Sequence, residues 1–225
     1  MQTNVDQVEK LKNKLIGSRI SGLALDIDET LADSNTHWFE NMFKFHAPEG
    51  LNLKDVMSKH KFVEEVPEWS TVEAFEFMQE MLHSEEFNES VPLIEDSNHI
   101  VNKIDKLIPI VAYITARPST VINATNRWLK RHDFPAVDLI TRPHDIQATV
   151  TDIIDRNKWK AKILIDLFPY VSGIIDDNLL LAQSLDDLGY KGTLYLYGTK
   201  TTKFDHMNHV ITCPTWNDVL DNIVK

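Results

Sequence analysis

Two carboxylates in the run Leu23-Ala24-Leu25-Asp26-Ile27-Asp28-Glu29-Thr30 carry the strongest chemical signal in this chain. A largely apolar stretch from Ile20 leads into them. Residues two apart on a strand point to the same side, so Asp26 and Asp28 at a strand end can face one site together. Two anions held close repel unless a cation or a shared proton intervenes. In that setting one Asp can act as nucleophile and metal ligand while the other carries a proton. An isolated Asp-x-Asp also describes a turn or a solvated edge, and the apolar run before it argues for a site instead.

Three further groups follow, each at or near the end of an apolar run. In Tyr113-Ile114-Thr115-Ala116-Arg117-Pro118 a hydroxyl, backbone N–H groups and a helix start meet, which suits a phosphate. Thr115 alone would serve as a helix cap. The similar string Ile140-Thr141-Arg142-Pro143 competes with it, but Thr141 follows a weaker run and Thr115 is preferred. Arg117 is read as structural. Next comes the lysine group Lys158, Lys160 and Lys162 at a helix start. Lys160 is favoured over Lys158, because Ile163, Leu164 and Leu167 stand three, four and seven residues on and share its face. Last is Gly173-Ile174-Ile175-Asp176-Asp177-Asn178, another apolar run ending in acids. Carboxylates from separate strand ends, a hydroxyl and a lysine make a Mg²⁺–phosphate site, since Mg²⁺ takes one or two carboxylates together with phosphate oxygens and waters.

The elements that must position these groups are legible as short apolar runs. Strands are expected over Ile20–Leu25, Ile108–Ile114, Val137–Ile140, Val171–Ile175, Thr193–Tyr197 and Val210–Cys213. Most lack period-two alternation, as parallel strands covered on both faces do. Helical stripes lie between them. Val5, Val8, Leu11, Leu15 and Ile16 form one, with Gly17 as its stop. Val121, Ile122, Thr125, Trp128 and Leu129 follow Pro118 as first helical residue, and Ser97–Leu107 is a further helix. Leu179, Leu180, Ala182, Leu185 and Leu188 form another stripe, closed by Gly189. The expected fold class is α/β: a Rossmann-like, doubly wound parallel sheet, with ligands beyond the C-terminal strand ends. Residues 34–94 break the pattern. They lack a strong strand run, and Val72, Phe75, Phe77, Met78, Met81 and Leu82 suggest a helix with a wide apolar face. A connection this long needs structure of its own, so residues 1–33 and 95–225 are expected to form a core and 34–94 an inserted α-helical cap domain.

The chain has 225 residues, 43% of them apolar, enough for such a core with an insert. Its formal net charge of −11 counts against a broad nucleic-acid surface but not against a small phosphorylated substrate, because a bound divalent cation supplies local positive charge. The single cysteine, Cys213, excludes an internal disulfide, which fits a cytoplasmic setting. The N-terminal residues do not read as a secretory signal, and no stretch approaches the roughly 20 apolar residues of a membrane span. The nine histidines show no close metal spacing.

The four motifs DIDET, YITAR, a helix-borne lysine and IIDDN, in this order, resemble those of the haloacid dehalogenase-like (HAD) superfamily. The resemblance spans about Ile20 to Cys213 and implies a phosphatase type with a helical cap between the first and second motifs. It implies that Asp26 attacks phosphorus and that Asp28 protonates the leaving oxygen and then activates water. Thr115 and the Ala116 amide would hold phosphate oxygens, and Lys160 would screen charge. Mg²⁺ would be bound by Asp26, the Asp28 carbonyl and Asp176, with Asp177 beside it. The function so implied is a Mg²⁺-dependent phosphomonoesterase working through an aspartyl phosphate on a small metabolite. Trp38 and Phe39, near the insert entrance, would favour a nucleoside monophosphate if they stack on a base; cap packing is the plainer role. The alternatives are a polynucleotide phosphatase or phosphotransferase, and a non-catalytic phosphate-binding regulatory protein. Oligomeric state leaves no mark in the sequence.

Overall fold

Gly22–Leu25 (β1) is buried at every position, because strands flank it on both edges and helices cover both faces. The computed structural model describes residues 4–143, 150–201, 203, 204 and 206–225. Among them, β1 is followed by Ile110–Pro118 (β2), Asp138–Arg142 (β3), Val171–Asp176 (β4), Thr193–Tyr197 (β5) and Val210–Cys213 (β6). They form one sheet in the order β3-β2-β1-β4-β5-β6, with every pairing parallel. The helices are Asn4–Ser18 (α1), Ser34–Phe45 (α2), Leu53–Lys59 (α3), Val72–His83 (α4), Glu85–Ser90 (α5) and Ser97–Asp105 (α6). Ile122–Arg131 (α7), Val150–Leu167 (α8), Leu179–Asp187 (α9) and Trp216–Val224 (α10) follow.

Alternation along β1 divides the interior. Ala24 joins a cluster with Leu11 and Leu15 of α1, Leu164 of α8 and Leu181 of α9. Leu23 and Leu25 join the opposite one, with Val101 of α6, Trp128 of α7 and Val219 of α10. A sheet covered on both faces explains the nearly continuous apolar runs. Gly22 is required by close approach, since a Cβ there would stand 1.9 Å from the Pro109 carbonyl oxygen. The strand order turns back between β1 and β4, and doubly wound sheets open their ligand crevice at such a point. No described helix is long and apolar enough to cross a membrane.

Some local expectations shift. Ile20 is 44% exposed and precedes β1, because its N–H bonds to the Leu15 carbonyl and closes α1. Pro118 is the last residue of β2 and a 3₁₀ turn, Ser119–Val121, separates it from α7. In α9 the buried residues are Leu181, Ala182, Ser184 and Leu185, whereas Leu179 and Leu180 in its first turn and Leu188 just past its end are exposed. Asn178 caps that first turn, accepting the Leu180 N–H at 2.9 Å. Gly189 ends that helix at φ +70, as a left-handed stop does. In α1, Ile16 is exposed, and the side chain of Val5 lies outside the described residues.

Residues between β1 and α6 fold as α2–α5 with two 3₁₀ turns, Val63–Glu65 and Pro67–Trp69, around their own cluster of Phe39, Met42, Val56, Trp69 and Ala74. Polar caps start the helices: Asp33 accepts from Thr36 N–H, Thr71 from Ala74 and Ser84 from Phe87. The insert closes on itself where Asp33 N–H meets the Pro92 carbonyl (2.9 Å) and Ile94 N–H the Leu31 carbonyl (2.8 Å). Val72 (70%) and Phe75 (53%) remain exposed, so the broad apolar stripe of α4 is only partly covered.

His37 of α2 is buried against Phe87, ring centroids 4.5 Å apart. Burial holds its pKa below the ordinary imidazole value, despite Glu40. The neutral ring therefore contributes stability that is fully present above about pH 6.5 and is lost as pH falls through the lower folded value. The stability difference between wild type and His37→Gln should shrink between pH 7.5 and 5.5 in urea melts. A difference independent of pH would mean that the ring titrates as in solvent.

Candidate active site

Three neighbouring strands bring the candidate residues to one edge of the sheet. The Asp26 N–H extends the β1–β4 ladder by bonding the Ile175 carbonyl at 3.0 Å. Leu25 pairs with Ile175, so Asp26 stands beside Asp176 at the point where the strand order reverses. Ile27 is fully buried in the core cluster, leaving the carboxylates on either side of it to face away from that cluster. Thr115 reaches the same edge from β2, on the other flank of β1, while Thr141 pairs with it one strand further out.

Lys160 rises from α8 between the two strand-end acids. Its Nζ lies 2.7 Å from Asp176 Oδ2 and 2.8 Å from Asp26 Oδ1, and the residue is 5% exposed. Lys158 is exposed. The contact with Asp26 is a buried ion pair, and apart from it Asp26 Oδ1 has no hydrogen-bond partner. Asp176 is fully engaged, with Asn178 N–H donating to its Oδ1 at 2.8 Å and Lys160 to its Oδ2. Oxygens of Asp26, Asp176 and Asp177 lie within 4.8 Å of one another.

Three clustered carboxylates, two of them on one ammonium, crowd negative charge in a buried place. Burial raises Asp26 to about 7, with Lys160 opposing and Asp176 and Asp28 adding to the rise. Asp177 is pushed well above its ordinary value, again by burial first and by Asp176 and Asp26 next. Burial disfavours the Lys160 ammonium, yet Asp176 and Asp26 outweigh it and hold the proton on. An all-oxygen set whose buried Asp26 Oδ1 has no partner besides Lys160 fits a hard divalent cation such as Mg²⁺, and crowded anionic charge is what such an ion offsets.

Asp28 sits apart from that cluster. Arg117 grips its carboxylate: Nε lies 3.0 and 3.1 Å from Oδ1 and Oδ2, and Nη2 lies 2.8 Å from Oδ1. The Ser34 hydroxyl also donates to Oδ1. Burial would raise this carboxyl, but Arg117 and Ser34 hold it below its ordinary value. A side chain so engaged leaves only the main-chain carbonyl of Asp28 for the expected metal role. Glu29, next in line, adopts a left-handed conformation at φ 59, and its Oε1 accepts the Asn35 N–H in the first turn of α2. Burial lifts its carboxyl to about 7 despite that hydrogen bond.

Thr115 is fully buried and its Oγ1 accepts the Arg117 N–H at 3.2 Å. Phe39 does not face the site: it is fully buried, with its ring 5.8 Å from that of Trp69. Trp38 is half-buried with its ring 4.4 Å from Phe87. Both aromatics therefore pack the insert. Sequence reasoning missed Ser34 and Glu29, because both reach the site by the sharp turn after Asp28. It also missed the ion pair of Arg117, whose only signal was a cation beside Thr115 in an otherwise acidic neighbourhood.

No protein-family model matches this chain, and no curated protein matches it in sequence. Solved structures do match in shape. A candidate phosphatase from Clostridium difficile superposes with a TM-score of 0.57 at 13% identity, covering 89% of this chain and 99% of that one. A candidate HAD-hydrolase from Bacillus subtilis, bound to magnesium, gives 0.55 at 11% identity over 91% and 98%. The L-2-haloacid dehalogenase from Xanthobacter autotrophicus gives 0.52 at 10% identity over 91% and 98%. The chain has the α/β fold of the haloacid dehalogenase-like hydrolases.

Proposed function

We propose that this chain is a Mg²⁺-dependent phosphomonoesterase that hydrolyses a small phosphorylated molecule through a phosphorylated Asp26. The observation that carries the reading is the grouping of Asp26, Asp176 and Asp177 at the strand-order reversal, the first two paired with Lys160. Phosphoryl transfer needs positioning and charge neutralisation above all. Asp26 attacks phosphorus, and the bond to the leaving oxygen breaks. Asp28 serves as the acid–base group. Lys160 screens Asp26 from the incoming phosphoryl group, and Thr115 with the Ala116 amide holds its oxygens. Asp26, Asp177 and the Asp28 carbonyl would hold Mg²⁺, which would supply positive charge against the phosphoryl oxygens. Residues 34–94 form a cap that closes over the site and excludes water.

The shared fold also serves dehalogenation, so the test has two arms. With p-nitrophenyl phosphate, p-nitrophenolate should appear with Mg²⁺ and stop with EDTA. Chloride release from 2-chloropropionate in EDTA, without phosphatase activity, would overturn the reading.

The ligand set carries its own prediction. Asp176 is committed to Lys160 and Asn178, which leaves Asp177 open to bind the ion together with Asp26. Asp177→Asn should raise half-saturating Mg²⁺ by at least roughly tenfold. Unchanged Mg²⁺ titrations in both Asp177→Asn and Asp176→Asn would show that the ion binds elsewhere.

A further inference from the structure

Arg117 is 3% exposed, and its guanidinium does more than balance a charge. Nε and Nη2 fork onto Asp28, while Nη1 donates to the Asn88 carbonyl of α5 at 3.3 Å. The plane also lies over Trp128, 5.7 Å from the ring centre, which limits how it can turn. Asn88 is itself anchored, its Nδ2 donating to the Leu82 and Ser84 carbonyls where α4 passes into α5. On the other side Asp28 receives the hydroxyl of Ser34, the first residue of α2. One carboxylate is thus held by β2 and, through Ser34 and Asn88, tied to the first and last helices of the insert.

We infer that Arg117 is the positioning residue for Asp28 in the hydrolytic half of the reaction, aiming its carboxylate at the attacking water and tying that aim to the insert. The inference rests on the phosphatase reading above. In this half-reaction the water oxygen bonds to phosphorus. The bond from phosphorus to the Asp26 oxygen breaks, and its electron pair returns to the Asp26 carboxylate. The water proton passes to Asp28. A bidentate guanidinium fixes both oxygens of a carboxylate, which a lysine ammonium cannot do.

The test is transient and steady-state hydrolysis of p-nitrophenyl phosphate with Mg²⁺ by Arg117→Lys and Ser34→Ala, with melting temperatures alongside. p-Nitrophenolate leaves without needing an acid, so loss of aim falls on the second step. Arg117→Lys should show a burst of p-nitrophenolate and a kcat at least roughly tenfold lower. Its kcat/KM, which reports only the first step, should stay within about threefold. Ser34→Ala should show the same split in smaller degree, and it carries the test alone if Arg117→Lys does not fold. Parallel losses in kcat and kcat/KM without a burst, or no change in either, overturn the inference. If the wild-type chain releases no p-nitrophenolate, the phosphatase reading falls and this inference with it. A wild type that turns over beside variants with parallel losses removes the inference alone.

Discussion

Asp26→Ala is expected to abolish hydrolysis of p-nitrophenyl phosphate, a loss on the order of 10⁴-fold or more, while the chain stays folded. On the proposed mechanism the residue would supply both the nucleophile and, with Asp177, a carboxylate for the ion, so nothing nearby can substitute. Folding should not suffer, because Lys160 keeps Asp176 as its partner at 2.7 Å. The removed anion is one that burial, Asp176 and Asp28 all disfavour. In EDTA the variant should therefore melt at or above the wild-type temperature, because relief from like charges favours the folded state. Activity and melting temperature then move apart, which simple misfolding cannot produce. Persistent Mg²⁺-dependent turnover in Asp26→Ala would sink the mechanism.

Lys160→Met should have the largest effect on stability. The ammonium is the cation shared by Asp26 and Asp176, and all three side chains are buried. Breaking a buried ion pair by removing one partner costs about 3–5 kcal/mol, because the remaining charges stay out of water. For a chain of this length that corresponds to a drop of roughly 6–20 °C in melting temperature. The variant should recover part of the drop in Mg²⁺, since a cation among the carboxylates offsets the same repulsion and ligand binding stabilises the folded state. Melting curves in EDTA and in Mg²⁺ check both parts. A Lys160→Met variant that melts like wild type in EDTA would mean that solvent, not the ammonium, balances these acids.

The sheet was legible because its signal is local. β5 and β6 were expected over the residues they occupy, and the other strands moved by a few residues at their ends. Apolar runs follow from parallel strands covered on both faces, and residues 34–94 stood out because no such run crosses them. Helix faces are less legible. Leu179 and Leu180 match the helical period of α9 but are exposed in its first turn, which the Asn178 cap starts, and Leu188 is exposed just past its end.

The sequence by itself determined which residues stand at or near strand ends: Asp26, Asp28, Thr115, Asp176 and Asp177 each follow an apolar run, and Lys160 lies on the apolar face of a helix. Tertiary structure alone decided how they divide. The β1–β4 pairing sets Asp26 beside Asp176, and the packing of α8 brings Lys160 to both. The left-handed turn at Glu29 and the entry of α2 separate Asp28 from that cluster and turn it to Arg117 and Ser34. Phe39 went into the core of the insert instead of the site. The reason is physical. Strand and helix signals come from neighbours within a few residues, whereas the partner of a buried charge comes from wherever the fold delivers one: from 89 residues away for Arg117 and Asp28.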